Sequence, residues 1–329
     1  MSEAFGWAFI GAGTLGREVA KDIMASGRHR VVSVFTRNFE RCKAVADAHG
    51  ALAARSAEEA ITCPGVDGVY IVTPHNSHYE YTLQALNLGR PVLCEKALTT
   101  DAGKAAEMIR LSREKKLYFS EAMWTWFAPV ARQVKAWLNA SEYGEITKVH
   151  LDHLTYALDY AARCSDPNTA GGALLDLGVY PLTYIYRLFG MPEKVECKGV
   201  VENGVDTGED ISLTYPGGKV FTVSTSMITR QGHESLFLEG TKARTYLRGY
   251  HYARSVTLER VNGAPETFSG FGGILNEFDL AAAEIREGLT ESRFVPHQAT
   301  LDVMKIMDEC RRQLNLVYPF EDGLPAPLD

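Results

Sequence analysis

The sequence predicts an α/β protein in two parts. Residues 1–121 read as a doubly wound parallel sheet, and residues 122–329 as an α+β part with an open-faced, largely antiparallel sheet. Three observations predict this. The chain opens with a strand, a glycine turn and a helix: Trp7-Ala8-Phe9-Ile10, then Gly11-Ala12-Gly13-Thr14-Leu15-Gly16, then Val19, Ala20, Ile23 and Met24 at helical spacing, closed by Gly27. Strand-like and helix-like segments alternate from there to residue 120, as in the crossover units of a Rossmann domain. Beyond residue 145, longer strand-like runs follow one another across turn signals, as in hairpins. With 329 residues, the chain exceeds one typical domain.

Each element has its own signal. After the opening unit come a strand at 31–35, a helix at 39–49, a short helix at 57–61 and a strand at 68–72. A helix at 79–88, a strand at 91–94, a helix at 101–115 and a strand at 117–120 complete the alternation. The second part holds strands at 146–156, 194–201, 210–215, 219–228, 234–240, 243–247 and 256–260. Pro216-Gly217-Gly218 and Gly240-Thr241-Lys242 mark hairpin turns between them. One helix, 171–189, interrupts these strands, and helices at 274–287 and 296–314 close the chain. An antiparallel sheet can leave one face uncovered, and an apolar uncovered face favours self-association. A homodimer through the C-terminal sheet is therefore expected.

Composition narrows the function. Hydrophobic residues make up 46% and charged residues 23%, enough for a sizeable core. The net charge of −7 argues against nucleic-acid and anionic-membrane partners. No apolar run approaches a membrane span, and Met1-Ser2-Glu3-Ala4 lacks the features of a signal peptide. Cys42, Cys63, Cys94, Cys164, Cys197 and Cys310 are scattered with no CxxC pair, so reduced core thiols are expected and no metal site is predicted. The expectation is a cytoplasmic protein acting on a small-molecule substrate.

The glycine turn carries the chemistry. Gly11 permits the tight turn, Gly13 lets backbone N–H groups approach a pyrophosphate, and Gly16 lets the helix pack closely on the strand. Thr14 and Leu15 open that helix, whose N-terminus favours an anion. An NAD site usually ends its second strand in Asp or Glu, which binds the ribose 2′-OH. Here the strand ends in Thr36-Arg37-Asn38, a hydroxyl and a guanidinium that suit a 2′-phosphate. NADP is thus expected over NAD, the other reading being a solvated loop arginine.

Ligands of such sheets bind beyond the carboxyl ends of the strands. There stand Thr73-Pro74-His75-Asn76-Ser77-His78 and, after the next strand, Glu95-Lys96. A lysine in the nicotinamide cleft could polarise or protonate a carbonyl oxygen. Taken alone, Lys96 also reads as a surface lysine and His78 as a helix-entry cap.

Together these pieces resemble the glucose–fructose oxidoreductase/inositol dehydrogenase/rhizopine catabolism (Gfo/Idh/MocA) family. The matching motifs are Gly11-x-Gly13-x-x-Gly16, Thr73-Pro74-x-x-x-His78, Glu95-Lys96 and Gly171-Gly172-Ala173-Leu174-Leu175-Asp176-Leu177-Gly178. The resemblance implies that Thr73, Pro74, Asn76 and His78 border the cofactor, that Glu95 helps place it and that Lys96 assists catalysis. Two positions depart from the family pattern. Ala97 stands where the family has a proline, often cis, which leaves the Lys96–Ala97 peptide open. Tyr180 stands four residues after Asp176, where sugar-oxidising members commonly carry His. Tyrosine there, with Glu121-Ala122-Met123-Trp124-Thr125-Trp126-Phe127, resembles the branch of dimeric dihydrodiol and NADP-dependent D-xylose dehydrogenases.

On a helix, Asp176 and Tyr180 share a face and can converge on one substrate. Trp124 and Trp126 read either as core or as an apolar wall for a substrate ring. His153, Asp159, Tyr160 and Arg163 lie near in sequence without being placed by it. The expected reaction is hydride transfer between nicotinamide C4 and a secondary alcohol or carbonyl carbon of a sugar, polyol or trans-dihydrodiol. Tyr180 or Lys96 handles the proton, and Asp176 binds a neighbouring hydroxyl. The rival readings are an NAD(P)-dependent glycosidase-type hydrolase on the same scaffold and a non-catalytic NADP-binding sensor.

Overall fold

A computed structural model describes residues 3–157 and 162–328. In chain order the first elements are β1 (Phe5–Ile10), α1 (Thr14–Ala25), β2 (His29–Phe35), α2 (Phe39–His49), β3 (Leu52–Ala53), α3 (Ala57–Thr62) and β4 (Gly68–Ile71). After a 3-10 turn at His75–Ser77 come α4 (His78–Asn87), β5 (Val92–Glu95), α5 (Ala102–Lys115) and β6 (Phe119–Ala122). Next are α6 (Trp124–Phe127), α7 (Pro129–Asn139), β7 (Ile146–Tyr156), a π turn at Leu174–Gly178 and α8 (Val179–Phe189). The strands β8 (Lys194–Glu202), β9 (Val205–Tyr215), β10 (Lys219–Ser226), β11 (Ile228–Gly240) and β12 (Ala243–Arg248) follow. A 3-10 turn at Tyr250–Tyr252, β13 (Ser255–Arg260), β14 (Glu266–Ser269), α9 (Ile274–Arg286) and α10 (His297–Gln313) complete the chain.

Two compact units result. The first takes the chain up to Thr99, Lys104–Met123 and Ile274–His297. Its six strands lie in the order β3-β2-β1-β4-β5-β6, every pair parallel. This is the doubly wound order, with its switch point between β1 and β4. β1 is buried along its whole length, as a central parallel strand must be. The sequence reading places 274–287 in the second part, whereas α9 packs in the first unit. Phe278 of α9 lies 5.1 Å from Trp7 and 4.9 Å from Tyr70, ring to ring. Ala281 and Ala282 join the same core, and Asp279 receives both Arg28 (2.8 Å) and His29 (3.0 Å). The apolar stripe of α9 has its partner in β1 and β4 rather than in the strands that precede it in the chain.

The second unit carries an eight-stranded sheet in the order β14-β13-β12-β11-β7-β10-β9-β8. Only β7 and β10 run parallel, and every other pair is antiparallel. Gly217 and Gly218 take φ 81° and 75° in the three-residue turn of the β9–β10 hairpin, positive values that glycine adopts without strain. Along β7, Val149, Leu151 and His153 are buried, while His150 and Asp152 on the other face are half-buried. Helix α7 was not read from the sequence, although Pro129 opens it and Val130, Val134 and Trp137 line its buried side. The predicted helix 171–189 is not one regular helix, because the π turn separates Gly171-Gly172 from α8. Gln313 of α10 fastens that helix to β8 through Cys197 N (2.7 Å) and Val195 O (2.8 Å). Among the described residues no helix is long and apolar enough to cross a membrane, and all six cysteines are free thiols.

Candidate active site

In the first unit, the loops after β1 and β4 meet at the switch point. Gly11 has φ +120°, and a Cβ there would lie 2.3 Å from the Val72 carbonyl oxygen. A Cβ on Gly16 would lie 3.1 Å from Val72 Cγ1, so α1 approaches the end of β4 closely. Gly13 is different: it is the N-cap of α1, no side chain caps the helix, and nothing lies within 4 Å of its Cβ position. Gly13, Thr14 and Leu15 are all exposed. An uncapped helix N-terminus over open ground fits a dinucleotide pyrophosphate. After β2, Asn38 caps α2 by accepting from Arg41 N at 3.0 Å, so that task does not fall to Thr36 or Arg37. Thr36 is half-buried, and the exposed Arg37 is close enough for its charge to oppose the upward push that burial gives the Tyr81 phenol.

The next two loops are tied together by His78. Its ring nitrogens meet Thr73 O at 2.7 Å and Ala97 O at 3.0 Å. Neither carbonyl can donate, so both contacts are hydrogen bonds only when both ring nitrogens carry protons. His78 is buried, Thr73, Pro74 and Asn76 are half-buried, and the Lys96–Ala97 peptide is cis. Lys96 is half-buried at the end of β5. Glu95 turns inward, accepting from Tyr70 Oη at 2.6 Å and from Lys96 N at 3.2 Å. Burial, with Glu95 and Glu277 nearby, pushes the Tyr70 phenol well up. Glu277 of α9 is fully buried, and its carboxyl is pushed well above the ordinary range, first by burial and then by Glu95.

In the second unit, Tyr180 is buried in a group of rings. It stacks on His153 at 5.6 Å and meets His251 edge-on at 4.0 Å. Trp124 lies against His251 at 4.6 Å and Tyr252 at 5.0 Å. Glu234 stands opposite His153 across β11 and β7, and accepts from His251 N at 2.5 Å. Burial pushes the Glu234 carboxyl up to about 7. Asp176 is held by Arg163 Nη2 at 2.9 Å and by Cys164 Sγ at 3.5 Å. The Gly171-Gly172 pair has a structural cause. A Cβ on Gly171 would lie 2.5 Å from Arg163 O, and one on Gly172 would lie 2.1 Å from Asp206 Oδ1. Asp206 in turn accepts from Leu174 N at the start of the π turn.

The structure thus brings Trp124 together with Tyr180 and leaves Trp126 elsewhere, packed on Tyr184 at 5.7 Å with the Arg187 guanidinium 4.6 Å over its ring. His153 and Arg163 take places beside Tyr180 and Asp176, while Asp159 and Tyr160 lie outside the described residues. The sequence reading missed Glu234 and His251. The aromatic run Tyr250-His251-Tyr252 was the available signal for the second of these.

A glycine turn opening an uncapped helix at the β1/β4 switch point defines a dinucleotide-binding protein of the Rossmann class. Residues 5–123 match the family model described as oxidoreductase family, NAD-binding Rossmann fold, and residues 131–246 match the Gfo/Idh/MocA C-terminal domain. The chain belongs to the Gfo/Idh/MocA oxidoreductase family and is an NAD(P)-dependent dehydrogenase. It is 30% identical to trans-1,2-dihydrobenzene-1,2-diol dehydrogenase of Bos taurus, over 96% of this chain and 98% of that one. It is 28% identical to D-xylose 1-dehydrogenase (NADP(+)) of Hypocrea jecorina, over 95% and 93%. Among solved structures, a 3-ketoreductase from Actinomadura kijaniata in complex with NADP and TDP-benzene shares the fold. Its TM-score is 0.82 at 22% identity, over 94% of this chain and 98% of that one.

Proposed function

We propose that this chain is an NADP-dependent dehydrogenase that interconverts a secondary alcohol and a carbonyl on a sugar, polyol or trans-dihydrodiol. One observation carries the reading. A chain similar to such dehydrogenases along 96% of its length carries Lys96, Asp176 and Tyr180, and ends β2 in Thr36-Arg37 rather than a carboxylate. Gly11, Gly13, Thr14, Leu15 and Gly16 would receive the pyrophosphate, and Thr36 and Arg37 the 2′-phosphate. Thr73, Pro74, Asn76 and His78 would border the cofactor, with Glu95 fixing Lys96 from behind.

When bound, the nicotinamide supplies hydride acceptance or donation at C4. The protein supplies proton handling and orientation. Tyr180 takes the hydroxyl proton in oxidation and returns it in reduction, and the Lys96 ammonium favours the charge that develops on the reacting oxygen. Asp176, held by Arg163, accepts from a neighbouring hydroxyl. Trp124 offers an apolar wall, a role that its contact with Tyr180's neighbours supports and that Trp126's packing does not. The same reading assembles the chain as a homodimer or homotetramer through the uncovered sheet face. It also places the chain in the cytoplasm, in keeping with six free thiols.

The test is NADPH absorbance with NADP⁺ and NAD⁺ against D-xylose, D-glucose, myo-inositol and a trans-dihydrodiol. Turnover with NADP⁺ on at least one member is expected. Lys96→Met should nearly abolish turnover while NADPH still binds, and Tyr180→Phe should cost about 10²–10⁴-fold in kcat. Equal use of both cofactors would overturn the 2′-phosphate assignment, and undiminished Tyr180→Phe turnover would overturn the proton assignment. Release of the phenol from an added aryl glycoside without net NADPH would identify a hydrolase, and NADPH binding with silence towards the panel and the glycoside a sensor.

A further inference from the structure

We propose that His153, Glu234 and His251 form a binding site for one divalent transition-metal ion of the zinc class, against the ring of Tyr180. The three residues come from separate stretches of the second unit and offer two imidazoles and a carboxylate. One donor atom from each lies within 4.8 Å of the others. Zinc bonds to nitrogen and oxygen of about 2.0–2.2 Å set tetrahedral donors about 3.3–3.6 Å apart. His251 Nδ1 and Glu234 Oε2, at 3.9 Å, stand a few tenths of an ångström outside that spacing. The closure across the whole group, at most about 1.5 Å, falls to rotation of the Glu234 carboxylate and the imidazole side chains.

The frame is built before any ion arrives. His153 and Glu234 are directly paired across β7 and β11, which sends their side chains to the same face of the sheet. His251 sits on the turn after β12. That turn is fastened to β11 by Gly249 N donating to Glu234 O at 2.7 Å and by His251 N donating to Glu234 Oε1 at 2.5 Å. Metal-binding imidazoles are usually oriented by a hydrogen bond at the other ring nitrogen. The Tyr250 hydroxyl stands 3.2 Å from His153 Nδ1, where it can serve that purpose. Glu234 and His251 keep only 19% and 10% of their side-chain surface in solvent, and a dication would offset the cost of ionising a carboxyl there. Three ligands of this type leave a coordination position open. Both imidazoles touch the Tyr180 ring, so occupancy would fix the surfaces on which Tyr180 packs.

The proposal does not depend on the dehydrogenase reading, and cobalt(II) tests it without turnover. The full chain, stripped with a chelator and dialysed, is titrated with Co²⁺ and then with Zn²⁺ in competition. Visible d–d bands saturating at one ion per chain, with no thiolate charge-transfer band, are expected. Glu234→Gln and His251→Ala should each weaken binding at least about 100-fold while NADPH binding stays at the wild-type level. Tyr250→Phe, which removes no ligand, should weaken it about 10-fold or more. Absence of the cobalt bands in the wild-type chain, a thiolate band, or unchanged affinity in folded Glu234→Gln and His251→Ala would each overturn the site. The wild-type titration decides the question even where a variant fails to fold.

Discussion

Glu277 places a carboxyl where an acid is least comfortable. It is fully buried, and among the described residues neither of its oxygens has a hydrogen-bond partner. Its neighbour Glu95 is also buried, accepting from the Tyr70 hydroxyl and the Lys96 amide. Two carboxyls in one low-dielectric site do not both ionise, and Glu277 keeps its proton well above the ordinary range. In the unfolded chain the same group ionises near the usual value. The unfolded state therefore binds fewer protons above that value, and the folded state loses stability as the pH rises through the window between the two. Glu277→Gln removes this loss. Its melting temperature should rise relative to wild type between pH 5 and pH 8, the gap widening by up to about 1.4 kcal/mol per pH unit within the window. A gap that is the same at both pH values would refute the assignment. None of this is legible in the sequence, where Glu277 reads as an ordinary polar position on an amphipathic helix. Only the return of α9 to the first unit buries it beside Glu95.

Among the elements, the turn between β1 and α1 separates two glycines with different reasons to exist. Gly11 is required by the fold, since its φ of +120° and the Val72 carbonyl 2.3 Å from its Cβ position leave no room for a side chain. Gly13 is not, since its φ of −70° suits any residue and nothing lies within 4 Å. Gly11→Ala should destabilise the chain by about 1–3 kcal/mol or more in denaturant titrations. Gly13→Ala should leave stability within about 0.5 kcal/mol while weakening NADPH binding about tenfold or more, because its methyl occupies the ground proposed for the pyrophosphate. Unchanged NADPH affinity in Gly13→Ala would displace the cofactor from this loop. The turn was legible because its constraints are local: a strand, three glycines and a helix within a short stretch. Alternation to residue 120 and the Pro216-Gly217-Gly218 hairpin were legible for the same reason. Helix α7 carried a readable stripe in Val130, Val134 and Trp137, but β3, two residues long, is too short for any period to show. The π turn at Leu174–Gly178 depends on Asp206 accepting from Leu174 N, a partner 32 residues away. His153, Glu234 and His251 are likewise joined only by strand pairing and one tethered turn.

For the molecule as a whole, the proposed assembly rests on the sheet of the second unit. Strand register sets a row of side chains across its uncovered face: Ser212, Thr222, His150, Phe237 and Tyr246 are successive cross-strand partners on β9, β10, β7, β11 and β12. Facing the other way, Val149, Leu151 and Val223 are buried. The row ends in two aromatics, with Tyr246 49% exposed and the Lys148 ammonium 5.4 Å over the Phe237 ring. A second copy laid on this face would bury the aromatic pair and add no new fold, which is how closed two-fold assemblies form. The wild-type chain should therefore elute at a multiple of its own 36.3 kDa. Tyr246→Glu puts a charge at the end of the aromatic row, where burial without a partner is unfavourable. It should weaken self-association about 30-fold or more, with circular dichroism and NADPH binding unchanged. Light scattering across a dilution series measures both the mass and its loss on dilution. A wild-type mass of a single chain would remove the assembly itself. An oligomer indifferent to Tyr246→Glu would move the contact off this face, because a glutamate cannot be desolvated within an interface without cost.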